Sequence, residues 1–171
     1  GLVHAEMREQ ESGRMRGLQL WVKLPASNKM DDPKYQEFAP DKLPVVQAGE
    51  GVSVKVIAGE VRSAEGEAVG GPIVQAVTDP LYFDATLASD AEWTQPLPAG
   101  HNAFAYVFEG SVSIGIGEDA RDVAAQELAV LGGGESLRVR AGSDGARLIL
   151  VAGRPLREPD LGQVHKDLPA S

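Results

Sequence analysis

An all-β sandwich or barrel is the fold class this sequence predicts, and three observations predict it. Apolar and polar residues alternate at period two in runs of 5 to 9 residues. Those runs are bounded by Gly, Pro, Asn or Asp and are rich in β-branched and aromatic side chains. No stretch sustains the 3.6-residue apolar stripe of a helix long enough to compete.

The elements follow in chain order. GLQLWVKL (17–24) places Leu18, Leu20, Val22 and Leu24 on one side of a strand. GVSVKVIAG (51–59) does the same with Val52, Val54 and Val56. LYFDATL (81–87), NAFAYVF (102–108), SVSIGIG (111–117), ELAVL (127–131), SLRVR (136–140) and ARLILVAG (146–153) read as further strands. Glu109-Gly110 sits between two of these runs and predicts a tight hairpin with Gly at positive φ. Gly132-Gly133-Gly134 predicts a turn between ELAVL and SLRVR. Those glycines lack the following helix and lysine that a phosphate-cradling loop needs.

Residues 25–50 hold Pro25, Pro33, Pro40 and Pro44 and little alternation, which predicts a linker lying over a surface. Residues 1–24 then form the end of one unit and 51–153 a complete β unit. The polar tail, 154–171, carries Pro155, Pro159 and Pro169 and predicts either an irregular arm or a disordered segment.

Composition narrows the function classes. Sixteen basic against 25 acidic residues give a net charge of −9 in 171 residues. Such a chain is a poor partner for nucleic-acid phosphates or anionic lipid, so direct nucleic-acid and membrane partners are not expected. There are no cysteines, which removes disulfides, thiolate zinc sites and thiol nucleophiles and fits a cytoplasmic protein. No apolar run approaches the roughly 18 residues of a membrane span.

The candidate chemistry starts at the first residues, GLVHAEM. In a strand, His4 and Glu6 point to the same face, where an imidazole and a carboxylate can converge on one cation. N/O ligation of this kind suits first-row metals such as iron, manganese, nickel or zinc. Taken alone, His-x-Glu is common by chance, and a surface histidine beside a surface glutamate is the bland reading. His101 reads as a polar residue at a loop-to-strand transition, and His165 as a solvated residue of the tail. Three histidines this far apart give no metal-ligand spacing by themselves. No Gly-x-Ser-x-Gly elbow is present. Asp31-Asp32 and Glu118-Asp119 fall in turn-like, solvated segments. Trp21 and Trp93 are the two tryptophans. Trp21 faces away from Leu20 and Val22, so it lines a cavity or an inter-domain surface if it is not an ordinary packing aromatic.

GLVHAEM, LQLWVKLPASNKMDDPKYQEF, PLYFDATL, QPLPAGHNAFAYVFEGSVSIG, AVLGGGESLRV and LILVAGRPLREP, in this order and spacing, resemble the pirins, a family of the cupin superfamily. The resemblance runs from residue 1 to about 159. It implies cupin (double-stranded β-helix, jelly-roll) barrels: the last strands of an N-terminal metal-binding barrel at 1–24, a linker at 25–50, and a second barrel without metal ligands at 51–153. In such proteins the first barrel holds a metal, usually iron, with a His-x-His pair and a later His-x-Glu pair. His4 and Glu6 match the second pair; the first is expected upstream of Gly1. The chain is therefore expected to be an N-terminally truncated pirin that holds half of the metal site, retains iron or another divalent metal weakly, and is silent by itself. Laying the second barrel on the cupin pattern puts its ligand positions at Pro96 and Pro98 and near Val139 and Ala141, which cannot hold a cation.

For the parent protein, the resemblance implies an iron-dependent dioxygenase of the quercetin 2,3-dioxygenase type, acting on a flavonol. His4 would be a ligand, and Glu6 a ligand or the base that takes the substrate proton. The alternative it implies is a non-enzymatic, iron-dependent regulatory or transcription-cofactor module with a protein partner.

Overall fold

A computed structural model describes residues 17–158. It divides into two compact units, 37–157 and a second one made of 1–36 and 158–171. In the described part of the second unit the chain makes one 3-10 turn, Ala26–Asn28. Both carboxylate oxygens of Glu158 accept from the Ala26 N–H, at 3.1 and 2.9 Å. Residues 17–24, expected as a strand, are irregular, and Trp21 is 84% exposed. Alternation shows which side chains share a face, but a strand also needs a partner for its backbone.

The larger unit is all β. Its strands are β1 (Val45–Gly49), β2 (Val52–Ala58), β3 (Glu60–Arg62), β4 (Ala68–Gly70), β5 (Leu81–Leu87), β6 (Glu92–Pro96), β7 (Asn102–Ile114), β8 (Arg121–Ala124), β9 (Leu128–Leu131) and β10 (Ser136–Gly153). They pair antiparallel in the order β1-β2-β5-β10-β7-β8, with β6 on β10 and β9 on β7; β3 and β4 form a separate ribbon. Among the described residues no helix is long and apolar enough to cross a membrane.

The alternating runs dictate which face turns inward. Val52, Val54 and Val56 of β2 and Phe83 and Ala85 of β5 are fully buried, while the residues between them are not. Val46, Trp93, Val107, Val123 and Val139, from five other strands, join the same cluster. One core fed by seven strands of one sheet requires the sheet to curl around it. Phe83 meets Trp93 edge-on there, with ring centroids 6.4 Å apart at 74°.

Three expectations change. First, β1 lies inside the stretch expected as a linker, because Val45 and Val46 pair with Lys55 and Val54 of β2. Second, Glu109-Gly110 is not a hairpin: β7 runs through it unbroken. Gly110 has φ +70°, as expected, but the positive φ makes a bulge. Third, SLRVR and ARLILVAG are one 18-residue strand, β10. Between the pairs Ala141↔Val112 and Ala146↔Gly110, four residues of β10 stand against one of β7. A second shift, between the pairs Glu109↔Arg147 and Val107↔Leu148, leaves Phe108 as an extra residue of β7 and resets which side chains face inward, from Ala103, Ala105 and Val107 before it to Val112 and Ile114 after it.

Candidate functional site: a cleft beside an apolar barrel interior

The expected metal pair, His4 and Glu6, lies outside the described residues, and so does His165. His101 is placed: its side chain is 5% exposed, with Nε2 3.0 Å from the Asp79 carbonyl oxygen and 3.3 Å from Asp79 Oδ2. Two acceptors facing one ring nitrogen assign the proton to that nitrogen. Nε2 thus has no lone pair to give a metal, and His101 ties the start of β7 to the segment before β5. Asp31, Asp32, Glu118 and Asp119 are all exposed. Among the described residues no group of three or more His, Cys, Asp or Glu could hold a metal ion.

The barrel interior shows why. On β6 the inward side chains are Trp93 and Gln95, and on the first part of β10, beside it, they are Leu137, Val139 and Ala141. Cross-strand pairing sets Trp93 beside Val139 and Gln95 beside Leu137. Pro96 and Pro98, the expected counterparts of a His-x-His pair, are exposed. The residues that face inward are one position earlier, so the amide of Gln95 stands where the sequence register had put a proline. Aliphatic, indole and amide groups make no donor set for iron.

Gln95 is the polar group sequence reasoning missed. EWTQP has one apolar side chain, so the segment gave no strand signal. Gln95 is 4% exposed, and its Nε2 donates to the carbonyl oxygens of Glu60 (3.2 Å) and Pro96 (3.0 Å). Both partners accept only, which fixes the amide's orientation. A cleft of about 350 Å³ opens beside it, lined by Gln95, Leu81, Pro96, Leu97 and Pro98, with Glu60 and Arg62 of β3.

Three arginines elsewhere reach carboxylates of neighbouring segments. Arg138 donates to Glu92 at 2.7 Å, and that bond, with the Arg138 charge, holds the Glu92 carboxyl below its ordinary value. Arg140 reaches Asp90 at 3.2 Å. Arg147 lies 3.6 Å from Asp84 and 4.8 Å from the Phe108 ring centroid, a cation–π contact. Beside this group, burial first and the Asp84 carboxylate second push the Tyr82 hydroxyl above its ordinary value.

A raised value means the folded state holds the Tyr82 proton more tightly than the unfolded chain does. Its contribution to stability is present in full below about pH 10, the unfolded value, and is lost as pH climbs through the folded one. Tyr82→Phe is therefore expected to flatten the alkaline fall in the urea midpoint. Wild type and variant falling in parallel between about pH 9 and 11 would remove this role.

Comparison with known proteins places these features in a family. Residues 82–163 match the pirin C-terminal cupin domain. A pirin-like protein of Caulobacter vibrioides is 45% identical over 160 residues, covering 93% of this chain and 54% of the relative. A Pseudomonas aeruginosa protein provisionally named a quercetin 2,3-dioxygenase is 38% identical over 159 residues, covering 93% and 55%. The chain thus spans about half the length of the curated relatives it matches. Among solved structures, a quercetin 2,3-dioxygenase from Acinetobacter baumannii superposes with a TM-score of 0.69 at 27% identity, over 81% of this chain and 46% of that one. The curled antiparallel sheet is a cupin barrel, and the chain belongs to the pirin family.

Proposed function

We propose that the whole protein is an iron-dependent dioxygenase of the quercetin 2,3-dioxygenase type, to which these 171 residues contribute His4 and Glu6. The observation that carries this is the His4-x-Glu6 pair in a chain 38% identical to a relative provisionally given that activity. The barrel at 37–157 does not fit a metal, since Trp93, Gln95, Val139 and Ala141 face inward. In this reading residues 1–24 complete a first, metal-holding barrel, and the other two ligands come from sequence beyond these residues. The donor chemistry suits a ferrous ion or another divalent metal: His4 binds as a neutral imidazole, and Glu6 lowers the net charge. When bound, the metal supplies activation of the flavonol and of dioxygen. Glu6 alternatively accepts the proton of the flavonol hydroxyl, its carboxylate kept ionised by the cation.

The test uses the full-length protein. Near-stoichiometric iron and quercetin-dependent oxygen uptake are expected, with both lost in His4→Ala. Oxygen uptake that survives His4→Ala would overturn the assignment. Iron that binds through His4 without any oxygen uptake would favour the alternative, an iron-dependent regulatory module that recognises a protein partner.

A further inference from the structure

We propose that the cleft between β3, β6 and the start of β5 is a second binding site, for a small uncharged molecule with an apolar body and one hydroxyl or N–H donor. Its volume, about 350 Å³, falls in the range of small-ligand pockets. Leu81, Leu97, Pro96 and Pro98 supply apolar walls. One polar side chain is sunk among them: Gln95, 4% exposed.

The state of that amide selects the ligand. Both Nε2 protons are committed to the carbonyl oxygens of Glu60 and Pro96. What Gln95 can still offer is its Oε1, an acceptor, so the complement is a donor. An anion would meet that acceptor and the Glu60 carboxylate at the rim. A metal ion would find too few ligands, since no group of three candidate ligands exists among the described residues. At the rim, Glu60 and Arg62 carry opposite charges, and Arg62 already donates to the Gly66 carbonyl oxygen at 3.2 Å. The cleft therefore has little net field, and an uncharged guest loses least on entering it.

This site is independent of the dioxygenase reading, because every lining residue lies in the unit 37–157, which contributes neither His4 nor Glu6. Phenol is a suitable probe, and anisole, its methyl ether, has the same ring without the donor. Titration of the 171-residue chain followed by ¹H–¹⁵N NMR is expected to show saturable phenol shifts at Gln95, Leu81 and Leu97. Anisole should bind about tenfold more weakly, the effect of leaving a buried acceptor unmet. Benzoate, at neutral pH, should bind more weakly still. Leu97→Trp, which fills the cleft, should abolish the phenol shifts. Anisole binding as tightly as phenol, shifts that map elsewhere, or no saturable shift would each overturn the proposal. Gln95→Met should erase the preference for phenol over anisole. If that variant fails to fold, the comparison on the wild-type chain decides the matter alone.

Discussion

Replacing Gly110 with alanine is expected to be among the most damaging single changes in this chain. Gly110 sits at φ +70°, where an L side chain costs roughly 1–2 kcal/mol. A Cβ there would also run into the Gly145 carbonyl and come within 3.1 Å of the Ala146 Cα. Both are backbone atoms and cannot rotate aside. Gly145 itself packs closely against the neighbouring strand, since a Cβ added there would lie 2.7 Å from the Leu87 carbonyl oxygen. Overpacking of this kind adds about 1–3 kcal/mol, so a total loss of roughly 2–5 kcal/mol is expected in urea unfolding. Gly110→Ala and Gly145→Ala disturb the same crossing, so the double variant should lose less than the sum. A Gly110→Ala change of less than about 0.5 kcal/mol would mean that the two strands do not approach this closely.

Phe83→Ala should cost about 3–5 kcal/mol, the usual range for removing a buried aromatic. Phe83 is fully buried at the centre of β5, paired across the sheet with Val56 on one side and Leu150 on the other. Its edge-on contact with Trp93 gives a second readout, because Trp93 is 2% exposed and held in one orientation. The near-UV circular dichroism of Trp93 should weaken in the variant even where the chain remains folded. An unchanged tryptophan signal together with an unchanged urea midpoint would contradict the packing described.

How much of this was legible depended on the segment. β2 and β5 could be read directly, since VSVKVIA and LYFDATL alternate cleanly and nothing interrupts them. The short strands β3, β4 and β8 and the polar β6 carry too few apolar residues to set a period. β7 and β10 each read as two strands in the sequence, because a glycine at positive φ looks the same in a hairpin and in a bulge. Only the partner strand tells them apart: at Gly110 it is β10, running alongside without reversing. β1 was hidden by the prolines before it. The resemblance to pirins identified the family, while the residues themselves gave His4-x-Glu6 only as a weak motif. Gln95 was illegible for a further reason: its role depends on a one-residue register that the sequence does not fix, and on a carbonyl contributed by Glu60, 35 positions away.

The central place of β10 has a consequence for how the chain is made. β5, β6 and β7 each pair with β10, and it is the last strand described. A ribosome therefore releases nearly all of the barrel before the strand that joins its parts. Until Gly153 clears the exit tunnel, β5, β6 and β7 each lack a partner along one edge, and such edges invite pairing with other nascent chains. Closure then comes in one late step between sequence-distant segments, which slows folding. Translation speed across 136–153 and chaperone supply should accordingly govern the yield of soluble protein more than changes in the early strands do.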